Sequence, residues 1–118
     1  MTTITFYKSG GIYYGFEEQG HTGFAESGED ILCSALSSMT MLIINSIEVS
    51  YASRVDYTID EGTTDIKVIC KSALPKYEKD EKKQFAISGL IQAYFLQLME
   101  LIEDYYDYLD VKELEVEI

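Results

Sequence analysis

The feature that most constrains the fold is a run of apolar side chains at helical spacing in the first half of the chain. Between residues 31 and 51, apolar positions recur at steps of three or four: Leu32, Leu36, Met39, Ile43 and Ile47. This spacing puts all of them on one side of an α-helix. A helix with one apolar stripe has to bury it against another element, so the segment predicts a layered domain.

Around this helix, segments 54–60, 65–70 and 111–118 alternate polar and apolar residues, and segment 12–18 is rich in Tyr and Phe, which indicates β-strands. We predict strands at 4–8, 12–18, 54–60, 65–70 and 111–118, and a second, longer helix at 81–107. Turn residues at 9–11 and 61–64 join neighbouring strands as hairpins. The order ββαββαβ over 118 residues predicts one α+β domain, residues 1–118, with two helices packed on a mixed or mostly antiparallel sheet.

The second predicted helix carries more apolar surface than a single stripe. Its apolar positions are Leu90, Ile91, Tyr94, Phe95, Leu98, Ile102, Tyr105 and Tyr106. One sheet face does not cover a set this wide, and large apolar patches mark association surfaces. We therefore expect the protein to form a homodimer.

The charge of the chain narrows its partners. Nine basic against 21 acidic side chains give a formal net charge of -12. This charge repels nucleic acid and anionic membrane surfaces and attracts cationic peptides. The N-terminal residues lack the pattern of a secretory signal, and no run approaches the ~18 consecutive apolar residues of a spanning helix. We expect a cytoplasmic protein that binds neither nucleic acid nor membranes.

The histidine and cysteine content argues against a metal site. The chain has one histidine and two cysteines, Cys33 and Cys70, which are far apart and match no metal-binding spacing. We expect no metal and no other cofactor, and we interpret Cys70 as a structural residue that closes a strand.

Cys33 is the candidate nucleophile. It lies near the start of the first predicted helix, where unpaired N–H groups and the helix dipole favour a thiolate. It is about 100° round the helix from the Leu32 stripe and shares a line with Asp30 and Ser37, so it belongs at the edge of the core. Asp30 acts in the opposite direction, because its charge raises the pKa of a nearby thiol. Ser27 with Asp30 resembles a capping box, or else Asp30 is itself the N-cap.

His21 is the candidate proton-transfer group. It is the only histidine and lies between Gly20 and Gly23, just before the helix that carries Cys33. An imidazole within hydrogen-bond reach of the sulfur would complete a thiolate–imidazolium pair. The residue types alone also fit a bland interpretation, because a lone helical cysteine is most often a small buried hydrophobe and a lone loop histidine is most often exposed.

The segment at 20–37 resembles the motif of the bacterial ribosomal-processing cysteine protease family, Prp. That motif is a Gly-His pair, a loop of small residues with Gly, and Asp-Ile-Val-Cys-Ala-Ala-Val-Ser at the start of a helix. The chain reads Gly20-His21, then Gly28, then Asp30-Ile31-Leu32-Cys33-Ser34-Ala35-Leu36-Ser37. The substitutions at Leu32, Ser34 and Leu36 are mild and remove no reactive group. Length and element order are also similar.

The resemblance implies a homodimeric protease that removes a short N-terminal extension from a large-subunit ribosomal protein. It assigns Cys33 as nucleophile and His21 as general base and acid. We interpret the glycine-rich loop, with Gly20, Gly23 and Gly28, as a lid over the substrate. Asp30 and Ser37 are candidate supporting residues, although Asp30 also fits a cap.

Two other functions fit the same residues. A non-catalytic, acidic, dimeric module would bind a basic ribosomal-protein tail without cutting it. A redox sensor would join Cys33 and Cys70 in a reversible disulfide. A catalytic thiol should react rapidly with iodoacetamide near neutral pH, whereas a packed thiol should not.

Overall fold

The computed structural model describes residues 1–20, 27–63 and 65–118, with the backbone alone for 27–30. The strands and helices follow in the predicted order, ββαββαβ: β1 (Thr2–Ser9), β2 (Ile12–Gln19), α1 (Ser27–Asn45), β3 (Asp56–Ile59), β4 (Ile66–Ile69), α2 (Glu81–Tyr105) and β5 (Leu109–Glu115). A π-helical turn, Ser46–Ser50, extends α1, and a short 3₁₀ turn, Lys71–Ala73, follows β4. The predicted α+β class is confirmed.

The strands form one five-stranded mixed sheet in the order β3-β4-β2-β1-β5. Neighbouring strands are antiparallel except β1 and β5, which run parallel at one edge. The turn between β1 and β2 consists of Gly10 and Gly11, both with positive φ. A two-residue hairpin of type I′ needs positive φ at both central positions, which glycine adopts without steric cost.

Both helices cover the same face of the sheet. Phe6 of β1 and Phe16 of β2 lie against Tyr94 of α2, with ring centroids 5.7 Å and 5.1 Å apart respectively. The predicted stripe of α1 is buried at Leu32, Leu36, Ile43 and Ile47 and half-buried at Met39. The spacing of these side chains therefore predicted correctly which side of α1 enters the core.

The first helix begins earlier than predicted. The apolar pattern indicated a start at residue 31, whereas α1 begins at Ser27. The interpretation of Asp30 as the N-cap is wrong, because helical residues precede it and a cap lies outside the first turn. The alternative interpretation, a capping box of Ser27 and Asp30, puts the helix start within one residue of the observed one.

Two helical stretches within the described residues are long and apolar enough to cross a membrane by length and composition. They are Ile31–Ser50 and Glu81–Tyr105, both with mean hydropathy 1.5. The rule based on consecutive apolar residues did not identify them, because polar residues interrupt both. A helix that packs in a protein core meets the same criteria, and both stretches place side chains against the sheet. Hydropathy therefore does not assign either helix to a membrane.

Candidate active site

Cys33 lies at the edge of the core, as predicted. It is half-buried, between the buried side chains of Leu32 and Leu36 on one side and exposed Ser34 and Ser37 on the other. Its sulfur is therefore not sealed inside the hydrophobic interior. This position combines partial shielding from water with access from outside, which a nucleophilic thiol requires.

The earlier start of α1 changes the electrostatic argument for Cys33. With the helix beginning at Ser27, Cys33 lies at the end of the second turn. The field of the helix dipole decreases within the first turn. The stabilisation that the helix alone gives a thiolate at Cys33 is thus weaker than a start at residue 31 implied. A nearby imidazole becomes the more important requirement.

Cys70 has the opposite environment. Its side chain is fully buried, and its N–H donates to the Tyr14 carbonyl oxygen at 2.7 Å. Burial, followed by the negative charge of Asp56, raises the pKa of the Cys70 thiol to about 12. The group remains a neutral thiol near pH 7 and cannot act as an efficient nucleophile. No disulfide joins it to Cys33. These observations agree with a structural role for Cys70.

Several predicted site residues fall outside the described part of the chain. His21 and Gly23 lie in the segment 21–26, and for Gly28 and Asp30 the backbone alone is described, inside α1. The pairing of His21 with Cys33 and the lid therefore stay predictions. Ser37 is described and exposed, one turn after Cys33 on α1.

Gly20 shows how the chain leaves the sheet just before His21. Its φ is +91°, and a Cβ at this position would overlap the carbonyl oxygen of Met1. Its N–H donates to Oδ1 of Asp65 at 3.2 Å. Glycine is thus required here for both conformation and space. The neighbouring Asp65, which the sequence did not single out, holds the backbone next to the candidate base.

Sequence reasoning also missed a buried polar cluster beside the two helices. Glu18 of β2 is fully buried, and its Oε1 accepts hydrogen bonds from Thr40 Oγ1 at 2.7 Å and Tyr94 Oη at 2.5 Å. A signal was present, because strand alternation puts Glu18 on the same sheet face as Phe16. A carboxylate on a core face requires hydrogen-bond donors, and this requirement pointed to hydroxyl groups on the helices.

The described residues contain no cluster of three or more His, Cys, Asp or Glu side chains able to hold a metal ion. The reactive group at the candidate site is therefore the Cys33 thiol, which lies at the edge of the core.

The fold is a five-stranded mixed sheet with both helices on one face, and a half-buried cysteine lies early in the first helix. Together they define a candidate thiol-dependent enzyme of the α+β class. The family model described as cysteine protease Prp matches residues 1–110. The chain therefore belongs to the Prp family of cysteine proteases, and the resemblance noted in the sequence is confirmed.

Solved structures share the fold over nearly the whole chain. The SMU.848 protein of Streptococcus mutans is 28% identical with a TM-score of 0.79, and the match covers 98% of this chain and 99% of that one. The ribosomal processing protease Prp from S. aureus, in complex with a substrate peptide, is 16% identical with a TM-score of 0.78, over 97% and 100% of the two chains. The same protease with a covalently linked product peptide has a TM-score of 0.74 and 19% identity, with the same coverage. No curated relative matches the chain.

Proposed function

We propose that this protein is a cysteine endopeptidase that removes a short N-terminal extension from a large-subunit ribosomal protein. The observation that carries the proposal is the position of Cys33, which is half-buried at the core edge of a chain that belongs to a cysteine protease family. The S. aureus protein of the same fold is a ribosomal processing protease solved with a substrate peptide. This likeness supports the same class of substrate for the present chain.

The proposed reaction proceeds through an acyl-enzyme. The Cys33 thiolate attacks the scissile carbonyl carbon and forms a tetrahedral oxyanion. The C–N bond then breaks, and His21 donates a proton to the departing amine. His21 next takes a proton from water, which attacks the thioester. The C–S bond then breaks, the new carboxyl terminus leaves, and the Cys33 thiolate and protonated His21 are restored.

The remaining predicted site residues have auxiliary roles in this proposal. Gly20 and Gly23 permit the loop after β2 to close over the bound peptide, whereas Gly28, which was predicted to belong to the same lid, lies inside α1. Ser37 and Asp30 lie on α1 one turn on either side of Cys33, where their polar groups can support the site. His21 provides the charge that keeps the thiolate reactive, since the helix field at Cys33 is weak.

The proposed partner is the N-terminal tail of a ribosomal protein. The net charge of -12 complements a lysine-containing tail and raises its encounter rate. The same charge disfavours direct binding to ribosomal RNA or anionic membranes. A tail of this kind is encountered in the cytoplasm, which we propose as the compartment.

The proposed assembly is a homodimer through the outer side of the helical layer. Exposed apolar side chains there include Leu42 of α1 and Phe85 and Leu96 of α2, which are 61%, 82% and 58% exposed. Leu42 also borders an apolar groove between the helices, with Met39, Leu90 and Ala93. A second copy would remove this surface from water.

Peptide cleavage tests the proposed activity. A synthetic peptide that spans the extension of the ribosomal protein is incubated with the parent chain and with two variants, and the products are read by mass spectrometry. Cys33→Ala should abolish cleavage without changing the fold. The matched control Cys70→Ala should retain it at a temperature where the variant is folded. Cleavage by Cys33→Ala at the parent rate would refute the proposal.

Alkylation separates a protease from a non-catalytic binding module. Iodoacetamide near neutral pH should modify Cys33 within minutes and leave Cys70 unmodified until the protein is unfolded. Peptide mapping locates the modified residue. A Cys33 as slow as Cys70, together with binding of the intact peptide, would favour the binding module.

A further inference from the structure

The buried cluster of Glu18, Thr40 and Tyr94 is not used by the proposed reaction. All three side chains are at most 4% exposed, and a single carboxyl oxygen of Glu18 receives both hydroxyl hydrogen bonds. Burial, and then the neighbouring Glu18, raises the pKa of Tyr94. The Tyr94 hydroxyl therefore keeps its proton and remains a donor. A buried carboxylate without such donors would strongly destabilise the fold.

The cluster connects the helix that carries Cys33 to the strand that precedes His21 in the sequence. Cys33 is on α1, and so is Thr40. Glu18 lies at the end of β2, and His21 follows it by three positions in the sequence. The hydrogen bond from Thr40 to Glu18 thus joins the helix of the nucleophile to the strand that leads to the base.

The Thr40–Glu18 hydrogen bond lies on the same side of α1 as Cys33. Thr40 follows Cys33 by two helical turns, about 10 Å along the axis and within about 20° of the same line. A shift of α1 against β2 that alters the Thr40–Glu18 bond therefore moves Cys33 in the same direction. Tyr94, by contrast, connects Glu18 to α2, which carries neither member of the proposed dyad.

We propose that Glu18 and Thr40 are positioning residues, which hold Cys33 at a fixed place relative to the end of β2 by locking α1 to that strand. This inference rests on the proposed protease function. Apolar side chains tolerate sliding along a helix, whereas a hydrogen bond is broken by a shift of about 1 Å. Misplacement of reacting groups by a similar distance can reduce turnover about 100-fold.

Three single substitutions separate positioning from general stability. Thr40→Val keeps the shape of the side chain and removes the donor, so kcat should fall about 10- to 100-fold with KM within about twofold. Thr40→Ser restores the hydroxyl and should recover most of kcat. Tyr94→Phe removes the donor from α2, so it should lower stability while kcat changes less than about threefold.

All rates are measured well below the unfolding temperature of the least stable variant. Equal losses of kcat in Thr40→Val and Tyr94→Phe would overturn the inference, because the cluster would then act through stability alone. It would also be overturned by parent kcat in Thr40→Val, by an effect on KM alone, or by the absence of rescue in Thr40→Ser.

A triple variant covers the case in which Thr40→Val does not fold. Glu18→Met, Thr40→Val and Tyr94→Phe together replace the polar cluster by apolar groups of similar shape, which can leave stability nearly unchanged. This variant should be folded by circular dichroism but retain less than about a tenth of the parent kcat. A folded triple variant with parent kcat would refute a positioning role.

The parent chain distinguishes failure of this inference from failure of the proposed function. If the parent shows no Cys33-dependent cleavage, the proposed function fails and the positioning role fails with it. If the parent cleaves the peptide but a variant gives one of the results named above as overturning the inference, only the positioning role fails.

Discussion

At the scale of single residues, burial determines which acidic groups keep their protons. The pKa of Cys70 is raised to about 12 by burial and then by Asp56. The pKa values of Tyr7 and Tyr13 are also raised to about 12, first by burial and then by Glu17 and Glu113, which accept hydrogen bonds from the two hydroxyl groups. In each case the folded state stabilises the protonated form relative to the unfolded state.

These groups predict a loss of stability at alkaline pH. Their ordinary pKa values are 9.0 for the thiol and 10.0 for the phenols. Above pH 9 the unfolded chain releases protons that the folded chain retains, so the free energy of unfolding should fall with rising pH until about pH 12. Each such group contributes a slope of at most about 1.4 kcal/mol per pH unit.

Denaturant titrations at pH 8, 9, 10 and 11 measure this slope. Cys70→Ala should flatten it between pH 9 and 10, where the thiol of the unfolded chain titrates first. Tyr57→Phe, at an exposed tyrosine of the edge strand β3, should leave the slope unchanged and serves as the control. A free energy of unfolding that stays constant up to pH 11 would contradict the prediction.

Gly20 gives a second prediction at this scale. Gly20→Ala should lower stability by about 2–4 kcal/mol, because the methyl group adds overlap with Met1 to the cost of positive φ. The matched control is Gly10→Ala, which also has positive φ but has no atom within 4 Å of the new Cβ, and should cost about 1–2 kcal/mol. Thermal unfolding compares the two. Equal losses would show that the contact with Met1 adds nothing.

At the scale of elements, the start of α2 is fixed by one side chain. Asp80 is the N-cap, and its carboxylate accepts a hydrogen bond from the N–H of Lys82 at 2.9 Å. This bond satisfies one of the donors that a helix start leaves open.

The cap predicts a specific pair of outcomes. Asp80→Ala should reduce the free energy of unfolding by about 1 kcal/mol, whereas Asp80→Asn, which keeps an acceptor oxygen, should change it by a few tenths. Peptide cleavage by both variants should match the parent, since Asp80 lies outside the proposed active site. A loss in Asp80→Asn as large as in Asp80→Ala would show that charge, and not capping, stabilises this end.

Element type was predictable because most segments have a clear apolar period. Alternation identified β3, β4 and β5, the Tyr and Phe content identified β2, and the spacing of Leu32, Leu36 and Ile43 identified the buried side of α1. The parallel pairing of β5 with β1 was not predictable, since the pattern of a strand does not specify its neighbour. The start of α1 was left open between Ser27 and Asp30, because residues 27–30 contribute no apolar side chain.

The candidate site was predictable to a different extent. A helical phase was enough to place Cys33 at the core edge, because it needs only local geometry. The sequence could not predict that Asp65 bonds to Gly20 or that Thr40 bonds to Glu18, since each hydrogen bond joins residues distant in sequence. Such contacts follow from the docking of whole elements.

At the scale of the whole molecule, the helical layer has an inner side on the sheet and an outer side with exposed apolar residues. Leu42→Glu should dissociate the proposed dimer, because a carboxylate in an apolar interface loses its hydration. Sedimentation velocity measures the mass. Leu114→Glu is the matched control, since Leu114 is 50% exposed on β5 and lies away from this layer. A parent chain that sediments as a monomer would exclude the dimer.

The parallel pairing of β1 with β5 has a consequence for biosynthesis. Thr2 is aligned with Leu109 and Lys8 with Glu115, so two strands about a hundred residues apart lie side by side. A ribosome makes β1 long before β5, and this edge of β1 has no neighbour until β5 has been made. Nascent chains of this protein therefore expose an open sheet edge, which closes only after β5 has emerged.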